Sequence, residues 1–235
     1  MVEKRIFIFS GYYGSGKTEV ATNFALQMRN TYPHVALADM DVVNPYFRSR
    51  QQKPLFDHHG VHLIAPDSSI DSVDLPYLTG EIAAYIDRHD AQLILDMGGD
   101  DVGTIPLGSI RLKLLKSADY EVFMVANTNR PFTHSADGIV TMAEMIQRMS
   151  GLRPSAIISN THLKQFTDEK MILKGLEISL RAAEILSIPC RTVTIPETIY
   201  TDAIAHNCAS LFDGDVMRLE LFYKTPWEDG YGEIR

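Results

Sequence analysis

The stretch Arg5-Ile6-Phe7-Ile8-Phe9-Ser10-Gly11-Tyr12-Tyr13-Gly14-Ser15-Gly16-Lys17-Thr18 decides how the rest of this chain is read. Residues 5–9 are a short β-branched and aromatic run, the pattern of a strand buried on both faces. Residues 11–18 fit G-x-x-x-x-G-K-[ST] at every fixed position, and helical spacing follows over 19–28. Strand, glycine loop and helix in that order make an anion cradle. Glycines let consecutive backbone N–H groups turn inward with no Cβ in the way. The helix start adds the positive end of its dipole. Lys17 can then reach the β- and γ-phosphates, and the Thr18 hydroxyl can hold Mg²⁺. A plain glycine turn with an incidental Lys-Thr would need neither flanking element. The stretch predicts nucleoside phosphate binding, with Gly11, Gly14, Ser15, Gly16, Lys17 and Thr18 as the contacts.

Outward from that stretch, similar short apolar runs recur at 34–38, 61–65, 92–95, 121–126, 156–159 and 191–195. Stretches with helical spacing lie between most of them, clearest at 78–88, 135–149 and 169–186. Alternation of this kind predicts βαβ crossovers: an α/β, doubly wound, mostly parallel sheet of about seven strands with helices on both faces. One nucleotide-binding domain accounts for residues 1–235, with a tail from about 224. The 235 residues include 45% hydrophobic and 22% charged, enough apolar material for a core without disulfide or metal staples. The net charge of −8 argues against a broad nucleic-acid face. Two cysteines, Cys190 and Cys208, are too few for a zinc or iron–sulfur ligand set. No segment reads as a signal peptide or membrane span, so the expected location is the cytoplasm.

A phosphate loop needs a carboxylate on a neighbouring strand end for its Mg²⁺. Leu93-Ile94-Leu95-Asp96 has that form, and Asp96 to Gly99 spells D-x-x-G, which lets the Gly99 N–H sense a γ-phosphate. Asp100 and Asp101 read as solvated loop residues. The second strand ends Ala38-Asp39-Met40-Asp41, and two acids two residues apart on a strand point the same way. Either can orient the attacking water or help the metal shell; capping the next helix is the alternative. Residues 46–50 read as a substrate or switch loop, in which Arg48 and Arg50 are candidate anion contacts or simply solvated charges.

These elements together resemble the SIMIBI class of P-loop proteins, of the MinD/ParA/CobQ-CobB type. The resemblance covers roughly residues 4–200 and rests on 11–18, on Asp39-Met40-Asp41 followed by Asn44, and on Asp96-Met97-Gly98-Gly99. It implies that Asp41 carries the water-activating role, with Asp39 in a second line, and that the strand of Asp96 lies beside the one entering the phosphate loop. The chain departs from the pattern at Tyr12, where such proteins usually carry a lysine that reaches across a dimer to the partner's phosphate. That charge is absent unless Arg48, Arg50 or another cation supplies it. A homodimer is compatible with this reading but not required by it. Guanine-selective relatives place Asn-Lys-x-Asp where this chain has Asn160-Thr161-His162-Leu163, and Leu163 cannot accept hydrogen bonds from guanine. Asn160 can face an adenine edge, and Ile195-Pro196-Glu197 resembles the loop beside adenine in MinD-like proteins. ATP with Mg²⁺ is therefore expected ahead of GTP.

Other features carry less. His58, His59 and His62 have the wrong spacing for one metal-binding face. Asp67, Asp71 and Asp74 read as caps for a helix near Leu75-Pro76. Val216, Met217, Leu219, Leu221 and Phe222 have the spacing of an amphipathic helix, read as docking on the core because the acidic tail beyond it would be repelled by anionic lipid. Three functions remain open at this point. One is an ATPase whose hydrolysis switches loops for a protein partner. Another is a small-molecule ligase or phosphotransfer enzyme in the manner of dethiobiotin synthetase. The third is an ATP sensor with little turnover.

Overall fold

The computed structural model describes residues 4–41, 52–65, 75–98 and 105–223, with backbone alone at 75–79 and 105–109. Gly99, Asp100, Asp101, Asn44, Arg48, Arg50, the acids at 67, 71 and 74, and the tail from 224 lie outside the described residues. The elements run β1 (Ile6–Ser10), α1 (Lys17–Arg29), β2 (Val35–Met40), α2 (Lys53–His59), β3 (His62–Ile64), α3 (Leu75–Asp87), β4 (Gln92–Met97) and α4 (Ile105–Ser117). They continue with β5 (Tyr120–Ala126), α5 (Ala136–Ser150), β6 (Ala156–Ser159), α6 (Glu169–Leu186), β7 (Cys190–Pro196), α7 (Asp202–Ala209) and β8 (Asp215–Leu219).

Among the described residues eight strands form one sheet, all parallel, in the order β3-β2-β4-β1-β5-β6-β7-β8. The strand leading into the phosphate loop is central, with β4 on one side and β5 on the other. Alternation along β1 divides the core. Ile6 and Ile8 pack with Ile82, Ile86, Ile110 and Leu114 of α3 and α4 on one face. Phe7 and Phe9 face the opposite way, onto Val20, Ala21 and Ala25 of α1. Rings of Phe7, Phe9, Phe24 and Phe123 meet edge-on or offset there, with centroids 4.9–6.1 Å apart, which fixes α1 against the sheet. Helix starts are capped where short polar side chains stand ready: Ser135 accepts from Gly138 N–H, Asp168 from Met171 N–H and Thr201 from Ile204 N–H.

The helix expected over 216–222 is not there. Residues 215–219 form β8, in register with β7 from Thr192 opposite Asp215 to Pro196 opposite Leu219. Met217 and Leu219 are buried while Arg218 between them is exposed, a period of two. Five apolar residues in a short window satisfy both periods, and the open edge of β7 decided the outcome. Residues 220–223 then run along α1. Glu19 accepts from the Phe222 and Tyr223 N–H groups at 3.0 and 2.9 Å, and the Asn23 side chain bonds both the N–H and the C=O of Glu220. Gln52 donates to the Phe222 carbonyl at 2.9 Å and Lys164 to that of Tyr223 at 3.3 Å.

Cys190 and Cys208 are both buried and free. His62 bonds Glu81 at 2.7 Å and stacks on Tyr85, so it is already used. Among the described residues no helix is long and apolar enough to cross a membrane.

Candidate functional site

Gly11–Thr18 wraps from the end of β1 into the first turn of α1. Ser15 N–H closes a turn on the Tyr12 carbonyl at 3.0 Å. The first helical bond runs from Val20 N–H to the Gly16 carbonyl at 3.1 Å, leaving the N–H groups of residues 16–19 without helical acceptors. Two glycines are required by their surroundings. Gly16 has φ +83°, and a Cβ there would come within 2.3 Å of the Asn160 amide nitrogen. Gly14 has φ +76° and lies against the Arg130 guanidinium, whose Nε donates to the Gly14 carbonyl at 2.8 Å. The loop is thus held from behind while its N–H groups stay open to an anion.

Lys17 and Thr18 are both buried, and the Lys17 charge acts on the Asp96 carboxyl. Thr18, next to Lys17 in the first turn of α1, is one of the groups that lower the Asp96 pKa. Burial pushes Asp96 up to about 7, with Lys17 and Thr18 pulling it down and the Asp39 and Asp41 carboxylates pushing it up. Asp39 sits on β2 opposite Asp96 on β4, and its Oδ1 accepts the Asp41 N–H at 3.1 Å. Asp41 is the residue after the strand end and is also buried. Lys17, Thr18, Asp96, Asp39 and Asp41 therefore share one side of the loop.

This donor set fits Mg²⁺. The ion takes hard oxygen ligands, uses one or two protein groups and keeps its remaining positions for waters and phosphate oxygens. The Thr18 hydroxyl and the buried Asp96 carboxylate meet that demand. Among the described residues no three His, Cys, Asp or Glu side chains converge as a self-contained cage.

The Asp96 shift has a sign that can be tested. A carboxyl whose folded value lies near 7 favours the protonated form, so its stabilising contribution is complete below about 4 and is lost as pH rises through 7. The metal-free chain is expected to gain stability between pH 8 and pH 5.5. Asp96→Asn should raise the thermal midpoint at pH 8 by several degrees, at roughly 2–4 °C per kcal/mol for this size. Glu19, pushed by burial to about 7, acts in the same direction and should leave a residual slope in that variant. A midpoint at pH 8 that Asp96→Asn leaves unchanged or lowers would contradict the assignment.

The other side of the loop is built from β5, β6 and β7. Sequence reading placed Asn160 at an adenine edge. In the structure its side chain is fully buried, donates to the Ser15 carbonyl at 2.7 Å and accepts from Thr194 Oγ1 at 2.5 Å. Asn160 is a brace for the phosphate loop. Pro196 is buried at the end of β7 and has no N–H to offer a base. Tyr12 rests against Phe132, with centroids 4.8 Å apart. Arg130 and His162 were not singled out in the sequence. They lie in loops after β5 and β6, and no local pattern there announces them.

No protein-family model matches the sequence, and no curated protein does. Solved structures do match in fold. FtsY from Mycoplasma mycoides superposes with a TM-score of 0.60 at 20% identity, over 83% of this chain and 60% of that one. The signal recognition particle receptor FtsY from Elizabethkingia anophelis in complex with GDP gives 0.57 at 16%, over 83% and 58%. The signal recognition particle 54 kDa protein from Aeropyrum pernix K1 in complex with GDP gives 0.55 at 19%, over 82% and 41%. The chain shares its fold with these FtsY and signal recognition particle structures. The chain spans about three fifths of the length of these FtsY structures.

Proposed function

We propose that this chain is a Mg²⁺-dependent P-loop nucleoside triphosphatase. It binds a purine nucleoside triphosphate, ATP ahead of GTP, and hydrolyses it slowly to switch its loops for a protein partner. The observation that carries this reading is a backbone cradle that runs into buried Lys17 and Thr18, with Asp96 buried beside them and in register with Asp39 of β2. Those are the parts that bind a triphosphate, hold its metal and place a water. Lys17 would neutralise phosphate charge, Thr18 and Asp96 would hold Mg²⁺, and Asp41 would take the proton of the attacking water. Slow turnover follows from Tyr12, whose ring packs on Phe132 where a cross-dimer lysine would supply charge.

The preference for ATP rests on Leu163 and Pro196. The first has no acceptor for the ring N–H and amino group of guanine, and the second has no N–H for its O6. GTP is the second reading, favoured by the GDP present in two of the structures with this fold. Competition of ATP and GTP for the purified chain with Mg²⁺, followed by phosphate release, tests both. ATP is expected to bind at least ~10-fold more tightly, since one missing buried hydrogen bond is worth about that much. Tighter GTP binding would transfer the reading to a GTPase. Binding of neither would end it.

A further inference from the structure

The sheet order divides the site. β2 and β4 lie on one side of β1 and bring Asp39, Asp41 and Asp96 to the metal; β5, β6 and β7 lie on the other and bring Arg130, Asn160, His162 and Thr194. Metal and terminal phosphates belong with the acids, which leaves the nucleoside to the second side. On that side His162 stands out. It is only 8% exposed, and its Nδ1 accepts the Lys164 N–H at 3.3 Å. That bond assigns the ring proton to Nε2. Among the described residues no acceptor meets Nε2, although a Cβ on Gly16 would lie only 3.6 Å away.

The ring is held in place by a tightly bonded frame. Asn127 Nδ2 donates to the His162 carbonyl at 3.1 Å, and Thr128 N–H donates to Thr161 Oγ1 at 3.1 Å. Thr133 Oγ1 closes the loop after β5 on the Asn127 carbonyl at 2.6 Å. Burial, helped by the nearby Arg130 and Lys164 cations, pushes the imidazole down to about 4, so it stays neutral and offers one donor at neutral pH. A buried donor without an acceptor is costly to a fold, and a site that keeps one is completed by a ligand.

We propose that His162 is a specificity-determining residue whose Nε2–H donates to a neutral acceptor on the nucleoside half of the bound nucleotide, a purine ring nitrogen or a ribose oxygen. The inference rests on the nucleotide reading above. It differs from that reading in assigning discrimination to a side chain on the β6 loop that touches neither phosphate nor metal.

Calorimetry on the full chain with Mg²⁺ tests it, using ATP, 7-deaza-ATP, 2′-deoxy-ATP and inorganic tripolyphosphate. His162→Phe keeps an aromatic ring against Gly16 and removes the donor. It is expected to weaken ATP about 5- to 10-fold, the worth of one neutral hydrogen bond, and to leave tripolyphosphate within twofold. Wild-type protein supplies an arm that needs no variant. If the acceptor is the purine N7, 7-deaza-ATP should bind as weakly as ATP binds to His162→Phe, and the variant should no longer tell the two apart. If it is the ribose 2′-oxygen, 2′-deoxy-ATP should behave in that way instead. Equal loss of ATP and tripolyphosphate, or unchanged ATP binding by a folded variant, would overturn the proposal. Failure of wild-type protein to bind either ATP or tripolyphosphate would instead remove the nucleotide reading on which it rests.

Discussion

Lys17→Ala is expected to abolish measurable nucleotide binding while the chain remains folded. The ammonium is the strongest cation aimed at the phosphates, and charge-assisted contacts are worth about 1.5–3 kcal/mol each. Loss of two of them weakens binding by roughly 10²–10⁴-fold. The structure adds a second reason. Lys17 is buried at the first position of α1, not in an exposed loop, and its charge pulls the Asp96 carboxyl down toward ionisation. Without it, Asp96 beside Asp39 and Asp41 holds its proton more firmly, and the Mg²⁺ ligand is lost together with the phosphate contact. Calorimetry with ATP and Mg²⁺ reads the binding, and circular dichroism reads the fold. Unchanged ATP affinity in a folded variant would show that the glycine cradle is not the phosphate site.

The parts of this site that sequence reading found are those written in a few consecutive residues. The cradle is an eight-residue pattern, and Asp96 and Asp39 end apolar runs whose period marks them as strands. Long-range order supplied the rest. Asn160 was found, but its task was not, because only the fold shows Ser15 and Thr194 at the two ends of its amide. Arg130 reaches Gly14 across 116 residues of sequence, and nothing around it resembles a motif. Residues 215–219 were misread because a free sheet edge, not local spacing, makes them a strand. Glu19 is by position a first-turn acid of α1, yet its carboxylate receives the chain 203 and 204 residues later.

Asp41→Asn is expected to slow hydrolysis by about 10²–10⁴-fold while nucleotide binding is preserved, the usual consequence of losing a positioned general base. The structure separates Asp41 from its neighbour. Asp39 lies within β2, in register with Asp96, and its Oδ1 is occupied by the Asp41 N–H. It shapes the turn and the charge beside the metal. Asp41 follows the strand end, one step further toward the crevice where a γ-phosphate and its attacking water would lie. Asp39→Asn keeps an oxygen for that N–H but removes a charge that pushes Asp96 up, so its main effect should fall on Mg²⁺ dependence. Single-turnover rates at saturating ATP, measured across a Mg²⁺ series, distinguish the two. A large rate loss in Asp39→Asn with none in Asp41→Asn would place the base on the strand itself. Asp41 would then be the residue that orients it through the turn.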